Sequence, residues 1–288
     1  MEIRVEKVSV NWGDLPSGIT WYFLGQPKTG KTTQAASWSS KGQNGVLLLD
    51  TDLGSDFVEG ANVLTTTSLN PPRRKTMVDG KQVTKDGIPQ TEMVPPNERG
   101  FFMRTGKNKG EPKSVYSLAE ILNWLNKEWQ KLPYDTIAID TIDEVNRWIE
   151  EAVTKELGIS SMGEGQWGAD WGKARRKNLD IVKRLQSFVK KNGANLVLIS
   201  HSKQTTMTDK KVQLMPELPR GLAYGLSAKA DVIGYVTMTK GETQPMVSFE
   251  SYDERAVGSR LKPLSGKKVP FDYQAIYKEI TSYKESSK

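Results

Sequence analysis

The 288-residue sequence contains no cysteine and a single histidine, His201. Without thiols it can form neither disulfides nor thiolate metal sites, a composition consistent with a reducing compartment. Nowhere do 18 apolar residues run together, so no segment reads as a membrane-spanning helix. The opening residues, MEIRVEKVSVNWGD, alternate charged and apolar side chains and lack the unbroken apolar stretch of a secretion signal. These absences lead us to expect a cytoplasmic protein with no membrane partner. No internal repeat is visible.

What is present describes a globular chain with solvated stretches: 36% hydrophobic and 26% charged residues, eight tryptophans, and a mean hydropathy of -0.55. The length suits one large α/β domain or two small ones, and we expect one domain over residues 1–288. Forty-one Lys and Arg against 34 Asp and Glu give a net charge of +7. That balance favours polyanionic partners such as nucleic acid, although many basic proteins bind none.

Apolar runs and helical periodicity alternate along the chain. Residues 19–24 form a short run that ends at Gly25, and a helix is predicted from Lys31 to about Ser40. Residues 46–49, 136–139 and 195–200 are continuous apolar runs of the kind found in parallel strands buried on both faces, with 62–67 as a further candidate. Ser117-Leu-Ala-Glu120 and Thr141-Ile-Asp-Glu144 have capping-box spacing, and each opens a predicted helix. A basic helix is predicted over residues 173–192. The order implies an α/β fold: a mostly parallel sheet with helices on both faces. Beyond Ala230, short strands near 231–239 and 246–250 are expected to pair antiparallel at an edge. Residues 70–114 interrupt this regularity. Within 70–113 stand ten Lys/Arg, five Asp/Glu, five Gly and six Pro, a composition unfit for a packed core. We read it as a basic, irregular insertion with a hairpin near Gly80 and Gly87.

Gly25-Gln26-Pro27-Lys28-Thr29-Gly30-Lys31-Thr32 matches G-x-x-x-x-G-K-[ST] between a predicted strand and a predicted helix. The glycines let backbone N–H groups converge on phosphates, and the helix N-terminus adds positive potential. Lys31 reaches the β- and γ-phosphates, and the Thr32 hydroxyl ligates magnesium. These residues, with Thr33, are the candidates for binding ATP and Mg2+. The metal also calls for a carboxylate at the end of a neighbouring strand, and Asp140, after Ile137-Ala-Ile139, fits that place. A helix-capping aspartate is the other reading of Asp140. Asp143 and Glu144 read as dipole and capping residues in the first turn of the next helix. Hydrolysis needs a group that orients the attacking water; Asp50 and Asp52, after one strand, and Glu144, close to Asp140, could supply it, and Asp52 is favoured.

Taken together, these residues resemble the RecA-like P-loop ATPases, and within them the phage nucleotide-binding branch that includes single-strand-annealing recombination proteins. The resemblance rests on the phosphate loop, LLLDTD at residues 47–52, IAIDT at 137–141, LVLISH at 196–201 and PRGLAYGLSAKADVIGY at 219–235, and it excludes residues 70–113. It implies that Asp52 is the catalytic base, where such proteins usually carry Glu, and that His201 senses the γ-phosphate. It also implies that residues 202–220 form a DNA-contacting loop with Lys203, Lys210, Lys211 and Arg220 as phosphate partners. The segment SSMGEGQWGADWGKARRK is a second candidate, with Lys173, Arg175, Arg176 and Lys177 on the backbone. Trp167 and Trp171 there read first as packing anchors and second as platforms for bases. Arg255, Arg260 and Lys262 lie where such proteins place a finger that reaches a neighbouring subunit's γ-phosphate.

The expectation is therefore an ATP-dependent, single-stranded-DNA-binding recombination protein that promotes annealing or strand pairing. Single-stranded DNA, a single-strand-binding protein and further copies of the chain, in a ring or filament, are its expected partners. The alternatives are a helicase or translocase motor subunit, and a weakly hydrolysing ATP-binding switch that acts through a protein partner.

Overall fold

The computed structural model describes residues 9–206, 212–239, 241–251 and 256–284. The apolar runs become strands β1 (Thr20–Gly25), β2 (Val46–Asp50), β3 (Val63–Ser68), β4 (Tyr116–Ser117), β5 (Thr136–Asp140) and β6 (Asn195–Thr206). Later come β7 (Val212–Pro216), β8 (Val232–Thr237), β9 (Met246–Ser248) and β10 (Lys268–Pro270). The sheet runs in the order β4-β3-β2-β5-β6-β1-β8-β9-β10, parallel from β4 to β8 and antiparallel from β8 to β10. The antiparallel edge is where the short-strand pattern placed it.

Helices are α1 (Lys31–Ala35), α2 (Leu118–Glu128), α3 (Ile142–Leu157), α4 (Ala169–Lys191), α5 (Arg220–Lys229) and α6 (Tyr273–Thr281). Alternation along each central strand sends Tyr22, Leu24, Leu47 and Ile139 to a core shared with α2, α3, α4 and α5. Trp21, Phe23, Leu48 and Ile199 point the other way, into a core with α1 and α6. Helices thus cover both faces, as parallel strands require.

Four local expectations need correction. Helix α1 stops at Ala35 rather than near Ser40: the Ser37 hydroxyl turns back onto the Gln34 carbonyl, and the chain bends to bury Trp38 beside Trp21 and Phe23. Thr141 caps α3 by accepting from the Glu144 amide, but the Glu144 carboxylate pairs with Arg147, so only half of that capping box forms. The box at Ser117 and Glu120 is complete. Helix α4 starts at Ala169, ahead of Lys173, because the buried Asp170 carboxylate gathers the amides of Gly163, Gly165 and Trp171. Within 202–220, residues 202–206 and 212–216 are not loop: β6 continues to Thr206 and pairs antiparallel with β7.

The insertion has its own small architecture. Arg73–Lys75 pairs with Thr91–Met93, Met77–Val78 with Lys81–Gln82, and Thr84–Lys85 with Ile88–Pro89. Both short hairpins turn on Asp-Gly pairs (Asp79-Gly80 and Asp86-Gly87) with positive φ at each residue, the conformation such turns need. Its root is tied to α2 by Arg99, whose guanidinium grips the Glu120 carboxylate at 2.7 and 2.8 Å and holds that carboxyl down to about 2.

Candidate functional site

The C-terminal ends of β1, β2, β5 and β6 converge on a cleft of about 620 Å³ lined by Pro27, Lys28, Gly30, Lys31, Thr32, Thr33, Asp52, Gly54, Phe57, Val58, Asp140 and His201. Gly25 ends β1 in a place where a Cβ would lie 2.6 Å from the Val236 carbonyl, so only glycine lets the strand approach β8. Gly30 takes φ +81 and starts α1. Thr29 closes the loop by donating from its hydroxyl to the Gln26 carbonyl at 2.9 Å. Lys31 is buried, with Nζ donating to the Gly25 and Gln26 carbonyls at 3.0 and 2.7 Å. Burial lowers its pKa, opposed by Asp140, Asp143 and Asp52. Gln26 reaches over to β6, its Nε2 lying 3.3 Å from the Ser202 hydroxyl.

Asp140 is buried at the end of β5, and its carboxyl accepts from the Thr32 hydroxyl. Burial pushes its pKa up to about 6, with Thr32 and Lys31 pulling the other way. A hydroxyl and a buried carboxylate on one side of a phosphate loop are the hard oxygen donors that magnesium takes beside phosphates and water. The residues fit that ion. One detail departs from expectation: β5 is not adjacent to β1, because β6 lies between them. Asp140 reaches the loop across one strand.

Four nearby carboxylates have distinct surroundings. Asp50 is buried and satisfied by the Gly54 and Ser55 amides and the Ser55 hydroxyl, which removes it as a water-orienting candidate. Asp52 is exposed at the cleft, its pKa raised by partial desolvation and lowered by His201. Glu144 pairs with Arg147. Asp143 stands in the first turn of α3, as expected, and has a further role: it accepts from the Ser200 hydroxyl and from the His201 amide at 2.6 Å, and stands 3.4 Å from His201 Nδ1. That contact raises the His201 pKa. Its place in the first turn of a helix carried no sign of a partner on β6, so the sequence alone could not reveal it.

The basic candidates lie apart from this cleft. Trp167 is fully exposed, with φ 56, between Gly165 and Gly168, and Trp171 is 39% exposed. For Trp167 this overturns the packing reading. Trp171, Arg175, Pro219 and Gly221 line one hollow of about 300 Å³ with Asn146 and Glu150, so the loop before α4 and the start of α5 share a surface. Arg175 and Arg176 are exposed and have no ion-pair partner among the described residues, and Lys203 is exposed on β6. Arg220 lies over the Tyr224 ring. Lys173 and Lys177 both pair with Glu156 at 2.9 Å, which occupies Lys173 within its own chain. Lys210 and Lys211 lie outside the described residues, as does Arg255. Arg260 donates to Asp231 and to the Ala228 carbonyl, and Asp231 also accepts from the Thr20 amide, so Arg260 sits where β1 begins, opposite the phosphate loop. Lys262 opens a short 3-10 turn nearby.

Among the described residues no helix is long and apolar enough to cross a membrane. A protein-family model described as an AAA domain matches residues 17–261. No curated protein matches the chain.

Proposed function

The chain belongs to the AAA domain family and is a P-loop ATPase; from that premise we propose that it is an ATP-dependent, single-stranded-DNA-binding recombination protein of phage type. Residues 25–33 hold the triphosphate, with Lys31 on the β- and γ-phosphates. Thr32 and Asp140 hold magnesium, which when bound neutralises charge on the transferring phosphoryl group. Asp52 orients water, and His201, positioned by Asp143, reads the γ-phosphate and passes its presence to the β6–β7 hairpin through Ser202 and Gln26. We further infer a single domain that assembles with further copies of itself in the cytoplasm and works beside a single-strand-binding protein.

The observation that supports the DNA part is the exposure of Trp167 at a glycine-flanked tip that leads into the helix carrying Trp171, Arg175 and Arg176. A bare indole ahead of a helix that carries exposed guanidiniums offers a stacking platform with backbone-neutralising charge, the combination used for single strands. The test is steady-state ATP hydrolysis at low salt without nucleic acid, with single-stranded DNA and with duplex, using Lys31→Ala as the blank. Stimulation by single strands that fades with salt is the expected result. ATP binding without stimulation removes the DNA part and leaves a nucleotide switch; directional unwinding moves the assignment to a motor.

A further inference from the structure

The insertion has no task in the function proposed above, yet it is fastened to the nucleotide cleft. The fastening point is Asp56, in the turn Ser55–Phe57 that follows Asp52. The Asp56 carboxylate, 11% exposed, receives Lys113 Nζ at 2.7 Å and Arg104 at 3.3 Å. Its carbonyl accepts from the Thr105 hydroxyl at 3.2 Å, and the Arg104 guanidinium stands 5.3 Å from the centre of the Phe57 ring. Arg104, Thr105 and Lys113 all belong to the insertion.

The other end of this short segment is fixed from inside. Asp50 holds the Gly54 and Ser55 amides at 3.1 and 3.2 Å. Residues 51–57, which carry Asp52, therefore run between an internal anchor at Asp50 and an external one at Asp56. Asp52, Gly54, Phe57 and Val58 line the cleft, and Phe57 does so with 72% of its surface exposed.

We propose that Asp56, gripped by Lys113 and Arg104, is a clamp through which the insertion positions Asp52 and Phe57 on the wall of the nucleotide cleft, so that hydrolysis depends on the insertion. This deepens the ATPase reading and rests on Asp52 orienting the water. The physical link is direct. Removing the two cations leaves a nearly buried carboxylate without a partner, and the turn must relax toward water to solvate it. That movement takes Asp52 and Phe57 away from the cleft, while Lys31 stays anchored on the Gly25 and Gln26 carbonyls. The hairpins of residues 77–89 lie beyond the clamp, joined to the stem through Thr76, Val83 and Gln90, and play no part in it.

The test compares full-length wild type with three variants: a clamp-free form carrying Lys113→Ala together with Arg104→Ala, the conservative Lys113→Arg, and a chain in which residues 77–89 are replaced by a short Gly-Asn turn. Steady-state hydrolysis, ATP binding and amide exchange of residues 51–58 are measured on each. The double variant is expected to lose about tenfold in kcat, with ATP affinity changed less than about twofold and faster exchange at 51–58. Lys113→Arg and the trimmed chain are expected to match wild type. A folded double variant with wild-type kcat overturns the clamp. If wild type itself neither binds nor hydrolyses ATP, the ATPase reading fails separately, and unchanged exchange at 51–58 then overturns the clamp by itself.

Discussion

The phosphate cleft and the tryptophan-tipped face differ in how their polar and aromatic groups are held. In and around the cleft the less exposed charges are held by partners: Lys31 on two loop carbonyls, Asp50 on two amides, Asp143 on Ser200 and His201. On the other face Trp167 is bare, and Arg175 and Arg176 are exposed without ion-pair partners among the described residues. A preorganised site loses most when one group is removed, whereas a face of separate contacts loses affinity step by step. The largest effect is therefore expected in the cleft. Lys31→Ala should lower kcat/KM for ATP at least about a hundredfold, read by phosphate release, with thermal unfolding confirming that the chain still folds. A smaller loss would mean that the loop backbone alone carries the phosphates and that the cleft is less preorganised than described.

The next effect belongs to the exposed face. Trp167→Ala should weaken single-stranded DNA by about 1–3 kcal/mol in fluorescence titrations while leaving DNA-free ATP hydrolysis unchanged. Its positive φ adds a second expectation: Trp167→Gly relieves backbone strain and should lower DNA affinity equally without lowering stability. Arg176→Gln should reduce the salt slope of binding by about one contact. Equal DNA affinity for wild type and Trp167→Ala would remove the stacking role and return this loop to a surface feature.

Between these sizes lies Asp143→Asn. The amide keeps the shape but loses the charge that holds the His201 ring and raises its pKa. We expect kcat to fall about tenfold with ATP affinity retained, and the His201 titration, followed by NMR, to move to lower pH. An unchanged His201 titration would show that Asp143 only braces the backbone of β6.

The same contrast explains what could be read from the sequence. The loop, its glycines, Thr32 and Asp140 were legible because phosphate and metal chemistry fix residue type and spacing within one stretch of chain. The mostly parallel character of the sheet also followed from apolar runs buried on both faces. Asp143 and Asp56 were not legible: each acts across space, on β6 and on the insertion, and a helix-start aspartate or a turn aspartate looks ordinary along the chain. Trp167 was misread for the opposite reason, since tryptophan composition suggests burial and only the fold reveals a fully exposed ring. Residues 202–206 and 212–216 lacked a loop signature, and their antiparallel pairing came from β6 running past the sheet.

The smallest expected effect sharpens the comparison most. On the exposed face DNA binding rests on stacking and phosphate contacts, so it should respond above all to salt. The cleft should respond to pH. Burial holds Asp140 up to about 6, above the ordinary 3.8. In the window between those values the folded protein keeps a proton that the unfolded chain has released, so nucleotide-free stability should fall as pH rises through it. Magnesium requires the carboxylate and expels that proton, so magnesium-dependent ATP affinity should climb by up to about tenfold per pH unit below 6 and level off above it. Calorimetry at pH 5, 6 and 7 in two buffers of different ionisation heat measures the proton released. Asp140→Asn should flatten the pH dependence of nucleotide-free stability below pH 6, and with it the magnesium term; a slope that survives there would assign the titration to Asp52, and one confined to higher pH to His201, whose pKa is also raised.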